Sequence, residues 1–234
     1  MAGISKNATS EIVYKSLKED ILHLVLVPGS AISEIETAEK YNVSRTPVRD
    51  AFKALEKEGL LEVRPHIGTF ISLIDIDKIS NVFYMREVLE QAILHDLYLS
   101  STPTDILKCR LVLEKQKTLI KADIDFIELG RLFIASDNEF HSSLFQICGK
   151  EGVWQYLLSI NQQYERFRTL LNLEERNNII KLYEEHKSIL DCIDNKDEAK
   201  LKTLVKEHIY GGFNRCSEVI CKYPDYFKQL SSTN

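Results

Sequence analysis

The chain has 234 residues and a formal net charge of −5. That length suits a domain of about 70 residues joined to one of about 150, and the charge argues against a general nucleic-acid coat protein while leaving sequence-specific binding open. No apolar run approaches the ~18 residues of a membrane span, the N-terminus lacks the charged-then-apolar order of a signal peptide, and Cys109, Cys148, Cys192, Cys216 and Cys221 are odd in number without CxxC spacing, so a membrane protein, a disulfide framework and a zinc ribbon are disfavoured and a reduced, cytoplasmic chain is expected.

In chain order the first strong signal is Ser33, which with Glu36 three residues later forms a capping-box pattern for a short helix ending near Asn42. Ser44 stands at the cap of a second helix, with Pro47 in its first turn and Gly59 placed to end it at positive φ. Two short helices across a tight turn make a helix-turn-helix. Arg45, Arg49 and Lys53 recur at i, i+4 and i+8 on one face of the second helix, and Val48, Phe52 and Leu55 occupy the opposite, core-facing side. Such a helix can place its guanidinium edge in a major groove and keep an apolar back. Leu60-Leu61-Glu62-Val63 and Thr69-Phe70-Ile71-Ser72 then read as two strands around Arg64-Pro65-His66-Ile67-Gly68, the wing of a winged helix. Residues 1–75 contain nine Lys and Arg against eleven Asp and Glu, so positive charge must act locally through the recognition helix and wing, and weak non-specific affinity is expected.

The run from Ile32-Ser33-Glu34 to Leu61, centred on Ser44-Arg45-Thr46-Pro47-Val48-Arg49 and followed by Gly68, resembles the winged helix of the GntR superfamily of transcriptional regulators. The resemblance implies that Arg45 and Arg49 contact operator DNA and that the wing approaches the minor groove at Gly68. The expected DNA-binding set is Ser44, Arg45, Thr46, Arg49, Lys53 and Gly68. Thr37 stands where a leucine is usual, and Ile35 stands where some members carry a third DNA-contacting arginine, so no base contact is assigned to Ile35.

Only Leu73-Ile74-Asp75-Ile76-Asp77 separates the wing from the next helical pattern. The expected division is a DNA-binding domain over 1–75 and an all-helical effector, metal-binding and dimerisation domain over 76–234. Six helical segments are predicted in the latter, at about 76–100, 103–121, 125–148, 151–172, 174–194 and 197–221, bounded by Pro103, by Gly149 and Gly152, and by Asn195-Lys196-Asp197. The fold class is mainly α, a winged helix-turn-helix followed by an antiparallel helical bundle.

Three of the predicted helices direct imidazole inward. Phe133, Asp137, His141, Leu144 and Cys148 form one stripe, His186 sits amid Leu182, Tyr183, Ile189, Leu190 and Ile193, and His208 lies with Leu201, Leu204, Val205 and Gly212. A lone histidine on an apolar face is ordinarily a hydrogen-bonded core residue, and an unpaired buried carboxylate is costly. A divalent ion satisfies Asp137, His141, His186 and His208 together, zinc being the first choice and nickel, manganese and iron the alternatives. Arg86 shares an inward stripe with Val82, Phe83, Leu89 and Ile93, and it could take a carboxylate bidentately or form an internal salt bridge with Glu90 or Asp137.

Asp137-Asn138-Glu139-Phe140-His141, the run Glu185 to Ile193, and His208 resemble the C-terminal FCD-type ligand-binding domain of the FadR branch, and six helices point to its shorter, VanR-like subgroup. The resemblance implies that Asp137, His141, His186 and His208 coordinate the ion and that Arg86 lines the effector pocket, which favours a small carboxylate. The functional expectation is a homodimeric regulator of a palindromic operator, with repression relieved by the effector. Two other readings use the same residues: a metal-dependent hydrolase or lyase carrying a winged helix, or a winged helix on a purely structural dimerisation bundle. The sequence has no nucleophile elbow or phosphate loop to favour an enzyme. Trp154, Tyr156 and Tyr164 could line a pocket or belong to the core, Arg166 and Arg168 could be a second anion contact or exposed residues, and His23, His66 and His95 receive no role.

Overall fold

A computed structural model describes residues 6–174 and 176–229, which divide into two compact units. The first opens with α1 (Lys6–Leu22), which no cap or breaker in the sequence announces, yet Val13, Leu17 and Ile21 follow one another at helical spacing and are buried. They pack with Val48, Ala51, Phe52 and Leu55 of α3 (Arg45–Lys57). Between them lies α2 (Glu34–Lys40), whose cap Ser33 accepts from the N–H groups of Ile35 and Glu36. Ser44 occupies the cap position of α3 with extended backbone, but its hydroxyl makes no capping bond. The tight turn rests on Asn42 at φ +51, and Gly59 at φ +72 ends α3 while the Leu60 N–H reaches Leu55 O at 2.9 Å.

The small sheet has the order β1-β3-β2, all antiparallel, with β1 (Ala31–Ile32), β2 (Leu61–Arg64) and β3 (Gly68–Ile71). β2 and β3 form the expected wing, in register Val63 to Thr69 and Arg64 to Gly68. The two-residue β1 carries too little pattern to be read from sequence.

Residues 222–229 group with this first unit, whereas the sequence reading put everything after residue 75 in the helical domain. Ile74 forms a parallel bridge with Phe227, its N–H donating to Tyr226 O at 2.8 Å while the Lys228 N–H donates to Ile74 O at 2.9 Å. Both Ile74 and Phe227 are buried, and Lys228 pairs with Asp75 at 3.1 Å. Pro224 cannot continue an α-helix, so the last one stops ahead of it and a 3-10 turn over Pro224–Tyr226 leads to the bridge.

The second unit contains α4 (Ile76–Ser100, assigned to it from Asp77), α5 (Pro103–Lys121), α6 (Phe126–Ile147), α7 (Glu151–Ile160), α8 (Gln162–Glu174), α9 (Arg176–Asp194), α10 (Glu198–Gly211) and α11 (Cys216–Lys222). Pro103 is the first residue of α5, where Thr102 and Asp105 close a reciprocal capping box. Two predicted segments are each broken. The one over 151–172 divides at Asn161 into α7 and α8, and the one over 197–221 divides after Gly211-Gly212 into α10, a 3-10 turn (Phe213–Arg215) and α11. Gly211-Gly212 is a weak point in any helix, and a Cβ on Gly212 would stand 3.1 Å from a methyl of Leu171, so the close approach of this break to α8 calls for glycine. The count of six helices behind the VanR-like expectation therefore does not describe the chain. No helix among the described residues is long and apolar enough to cross a membrane.

Replacing Phe227 by Ala should open a cavity under the Ile74 bridge and destabilise the first unit by roughly 3–5 kcal/mol. Urea unfolding followed by a probe in the winged helix would register it as a lower midpoint, and an unchanged midpoint would mean that the tail contributes nothing to that unit.

Candidate metal centre and DNA-reading surface

On the reading side, Ser44, Arg45, Thr46, Arg49 and Lys53 are exposed along α3, and Gly68 is exposed beside the turn that joins β2 to β3. Arg45 Nη2 and Arg49 Nε lie 3.2 and 3.5 Å from the same oxygen of Glu34, which holds the two guanidinium groups side by side while each stays about half exposed. In the wing, Arg64 lies over the Phe70 ring at 4.4 Å and pairs with Glu62. Glu34 and Arg64 were not singled out in the sequence, because their partners lie across a turn and across a hairpin.

In the helical unit the three expected histidines come together as one group able to hold an ion, and Asp137, which is not part of that group, lies against two of them. Asp137 and His141 on α6, His186 on α9 and His208 on α10 are all buried. The Nε2 atoms of His141 and His208 are 3.4 Å apart, His186 Nε2 is 3.4 Å from Asp137 Oδ1, and His141 Nε2 is 3.7 Å from Asp137 Oδ2. One ligand atom from each of the three histidines fits within a 4.8 Å sphere of mutual distances. A tetrahedral ion with bonds of about 2.05 Å separates its ligand atoms by about 3.3 Å, so these spacings fit coordination. Asp137 is the less committed member, because its Oδ2 already accepts from Arg168 Nη2 at 2.5 Å.

What turns the imidazoles is a ring of oxygen acceptors that sequence periodicity did not reveal. His186 Nδ1 faces Gln116 Oε1 at 3.2 Å, and the same amide donates to Ser136 O at 3.2 Å, which fixes its orientation. His208 Nδ1 faces Glu185 Oε2 at 2.8 Å, and Glu90 Oε2 lies 2.9 Å from His141 Nδ1, a charge contact off the line of a good hydrogen bond. A proton kept on each Nδ1 leaves each Nε2 lone pair pointing at the shared centre. Nε2 of His186 is buried without a hydrogen-bond partner, the kind of orphaned atom that an ion would satisfy. Burial pushes His141 and His186 below the ordinary imidazole range, so both are neutral and able to donate a lone pair. Burial alone would raise the Asp137 carboxyl, but Arg168 overrides it and holds the group well below its usual range.

Of the two roles weighed for Arg86, the internal salt bridge with Glu90 is present. Arg86 Nε donates to Glu90 Oε1 at 2.6 Å and its Nη1 to the Tyr164 hydroxyl, but its Nη2 is buried with no hydrogen-bond partner. Burial would lower this guanidinium, and Glu90 more than compensates, so it remains charged. Arg86, Asp137, His141, Tyr164, Arg168 and His208 line one cavity of about 730 Å³, mouth included, and His186 is not part of its wall. Of the aromatic candidates on the predicted fourth segment, Tyr164 lines the cavity, Trp154 stacks on His141 and Tyr156 is exposed. Arg168 and Arg166 are both buried, and burial pushes Arg166 down to about 10. The five cysteines are free thiols.

Residues 9–71 match the model of the bacterial regulatory proteins of the gntR family, and residues 81–211 match that of the FCD domain. An HTH-type transcriptional regulator in an unstable DNA locus of Streptomyces ambofaciens is 29% identical, covering 100% of this chain and 95% of its own length. The HTH-type transcriptional repressor RspR of Escherichia coli K12 is 25% identical over 93% of this chain and 92% of its own. Among solved structures, E. coli McbR/YncC superposes with a TM-score of 0.66 at 18% identity, covering 94% of this chain and 100% of that one, which establishes likeness of fold. These relatives are regulators and not enzymes. The chain belongs to the GntR family of bacterial regulatory proteins and is a DNA-binding transcriptional regulator in which a winged helix is joined to an FCD domain.

Proposed function

We propose that the protein is a repressor whose operator affinity is set by a small carboxylate bound beside a divalent ion in the helical unit. The observation that carries this reading is the convergence of three buried Nε2 atoms, each imidazole facing an oxygen at its other nitrogen, beside an arginine with an unpartnered Nη2. Asp137, His141, His186 and His208 would hold the ion, zinc by preference and nickel, manganese or iron otherwise. The ion would supply a Lewis-acidic anchor for one end of the effector, and Arg86 a charge-assisted hydrogen bond to it.

The rest of the reading follows from symmetry and linkage. A homodimer would present two recognition helices to a palindromic operator in the cytoplasm, with Ser44, Arg45, Thr46, Arg49, Lys53 and Gly68 at the DNA. An effector can alter operator affinity only by its differential affinity for two states of the protein. A route for that coupling exists in the chain itself: Gly211, Gly212 and Arg215 line the cavity, and the polypeptide runs from there through α11 into the tail bridged to Ile74.

The test is a mobility shift on an operator selected from random-sequence DNA, with zinc and a panel of small carboxylates. Release of the DNA by at least one carboxylate, and not by neutral sugars of matched size, is the expected outcome; release by none, or equally by the sugars, would contradict the reading. Arg49→Ala should weaken that operator complex by about 1–3 kcal/mol, and equal affinity would remove Arg49 from the DNA surface. Gln116→Leu should lower zinc affinity roughly 10- to 100-fold through the misaligned His186 ring. A competition titration with a chromophoric chelator measures this, and unchanged affinity would show that the amide does not orient the ligand.

A further inference from the structure

The cavity has a second polar end, away from the imidazoles, for which neither the ion nor Arg86 provides a reason. Asn172 is only 5% exposed and lines the cavity, yet its amide hydrogen-bonds to none of the described residues. Beside it on the wall, Arg215 is half buried, and its guanidinium is anchored by a neutral group, donating from Nη1 to Asn178 Oδ1 at 2.6 Å. No carboxylate among the described residues pairs with Arg215. Lys181 stands at the rim of this end, its side chain 70% exposed and 3.8 Å from Glu185 Oε1, an ion pair beyond hydrogen-bond reach. An arginine placed in a cavity wall and matched only to an amide retains donors for an acidic group.

Charge balance agrees. Arg86, Arg168, Lys181 and Arg215 outnumber Asp137 and Glu185 on the wall, and Glu90, which stands behind Arg86, does not cancel the excess. A divalent ion would add to it. Arg86 is paired with Glu90, Arg168 with Asp137 and Lys181 with Glu185, so a single carboxylate at the ion would leave the half-buried Arg215 without an acidic partner.

We propose that the effector is a small dicarboxylate, with one carboxylate and an adjoining hydroxyl at the ion and Arg86, and the second carboxylate held by Arg215, Lys181 and the amide of Asn172. This rests on the metal-and-Arg86 reading and adds a second anion subsite to it. The far end then acts as the selectivity filter, because a ligand lacking the second carboxylate leaves the Arg215 and Asn172 donors unmet.

The experiment is calorimetry on zinc-loaded full-length protein with two matched pairs: malate against 2-hydroxybutyrate, and 2-hydroxyglutarate against 2-hydroxyvalerate. Within each pair a carboxylate is exchanged for a methyl group. At least one diacid should bind ten-fold or more tightly than its monoacid partner. In Arg215→Gln that preference should fall to about two-fold or less while the affinity for the monoacid is retained, which also shows that the variant is folded. Equal binding within both pairs, or a preference that survives Arg215→Gln, would overturn the second subsite and leave the first reading standing. Failure of all four acids to bind the zinc-loaded protein would overturn both.

Discussion

Three imidazoles from three helices can share one buried centre only if each turns its proton away from it. Gln116 and Glu185 receive Nδ1 of His186 and His208, and Glu90 lies against Nδ1 of His141. These acceptors come from α5, α9 and α4, so the packing of five helices determines how three rings point. The carboxylates among them are kept ionised in turn: Arg86 overrides the effect of burial on Glu90, and Arg168 does the same for Asp137. A network of this kind is costly when half satisfied and specific when complete; on the proposed reading, an ion at the orphaned Nε2 of His186 and an anion at Nη2 of Arg86 would complete it.

The same packing ties the cavity to the ends of the chain. Gly212 lies against Leu171 where α10 breaks, and Arg215 in the following turn lines the cavity. From that break the chain has only α11 to traverse before it joins the first unit, where Phe227 and Lys228 flank Ile74 at the start of the interdomain segment. The polypeptide therefore passes between the units twice, once after the wing and once after α11. On the proposed reading, a shift at the cavity would have a short covalent route to the reader.

How much of this was legible in the sequence follows from which interactions are local. The helix-turn-helix could be read because Ser33, Asn42, Pro47 and Gly59 act within a few residues of themselves, through caps, a left-handed turn and a stop. Asp137, His141, His186 and His208 could be placed inward because helical periodicity puts them on apolar stripes, and the structure brings those stripes together. Glu90 was legible as a partner of Arg86 four residues away but not of His141, and Gln116, Glu185 and Arg168 were not legible as partners, since these contacts cross between helices and a polar residue on a stripe does not say what it will face. Arg168 in particular could be an anion contact or an exposed residue until α8 is packed beside α6, where it meets Asp137. Breaks at Asn161 and Gly212 escaped for a related reason: apolar spacing continues through both, and only the approach of a neighbouring helix shows why the second needs glycine. The tail was missed because a three-residue 3-10 turn and a single bridge residue have no period to detect.

The central claim is that His141, His186 and His208 point their Nε2 atoms at one ion. The most direct measurement is an anomalous difference map from crystals of the purified protein, recorded on both sides of the zinc absorption edge after zinc loading. The account expects one strong peak per chain at about 2.0–2.1 Å from all three Nε2 atoms. A protein carrying stoichiometric zinc with no peak there, or with its peak at other residues, would contradict it.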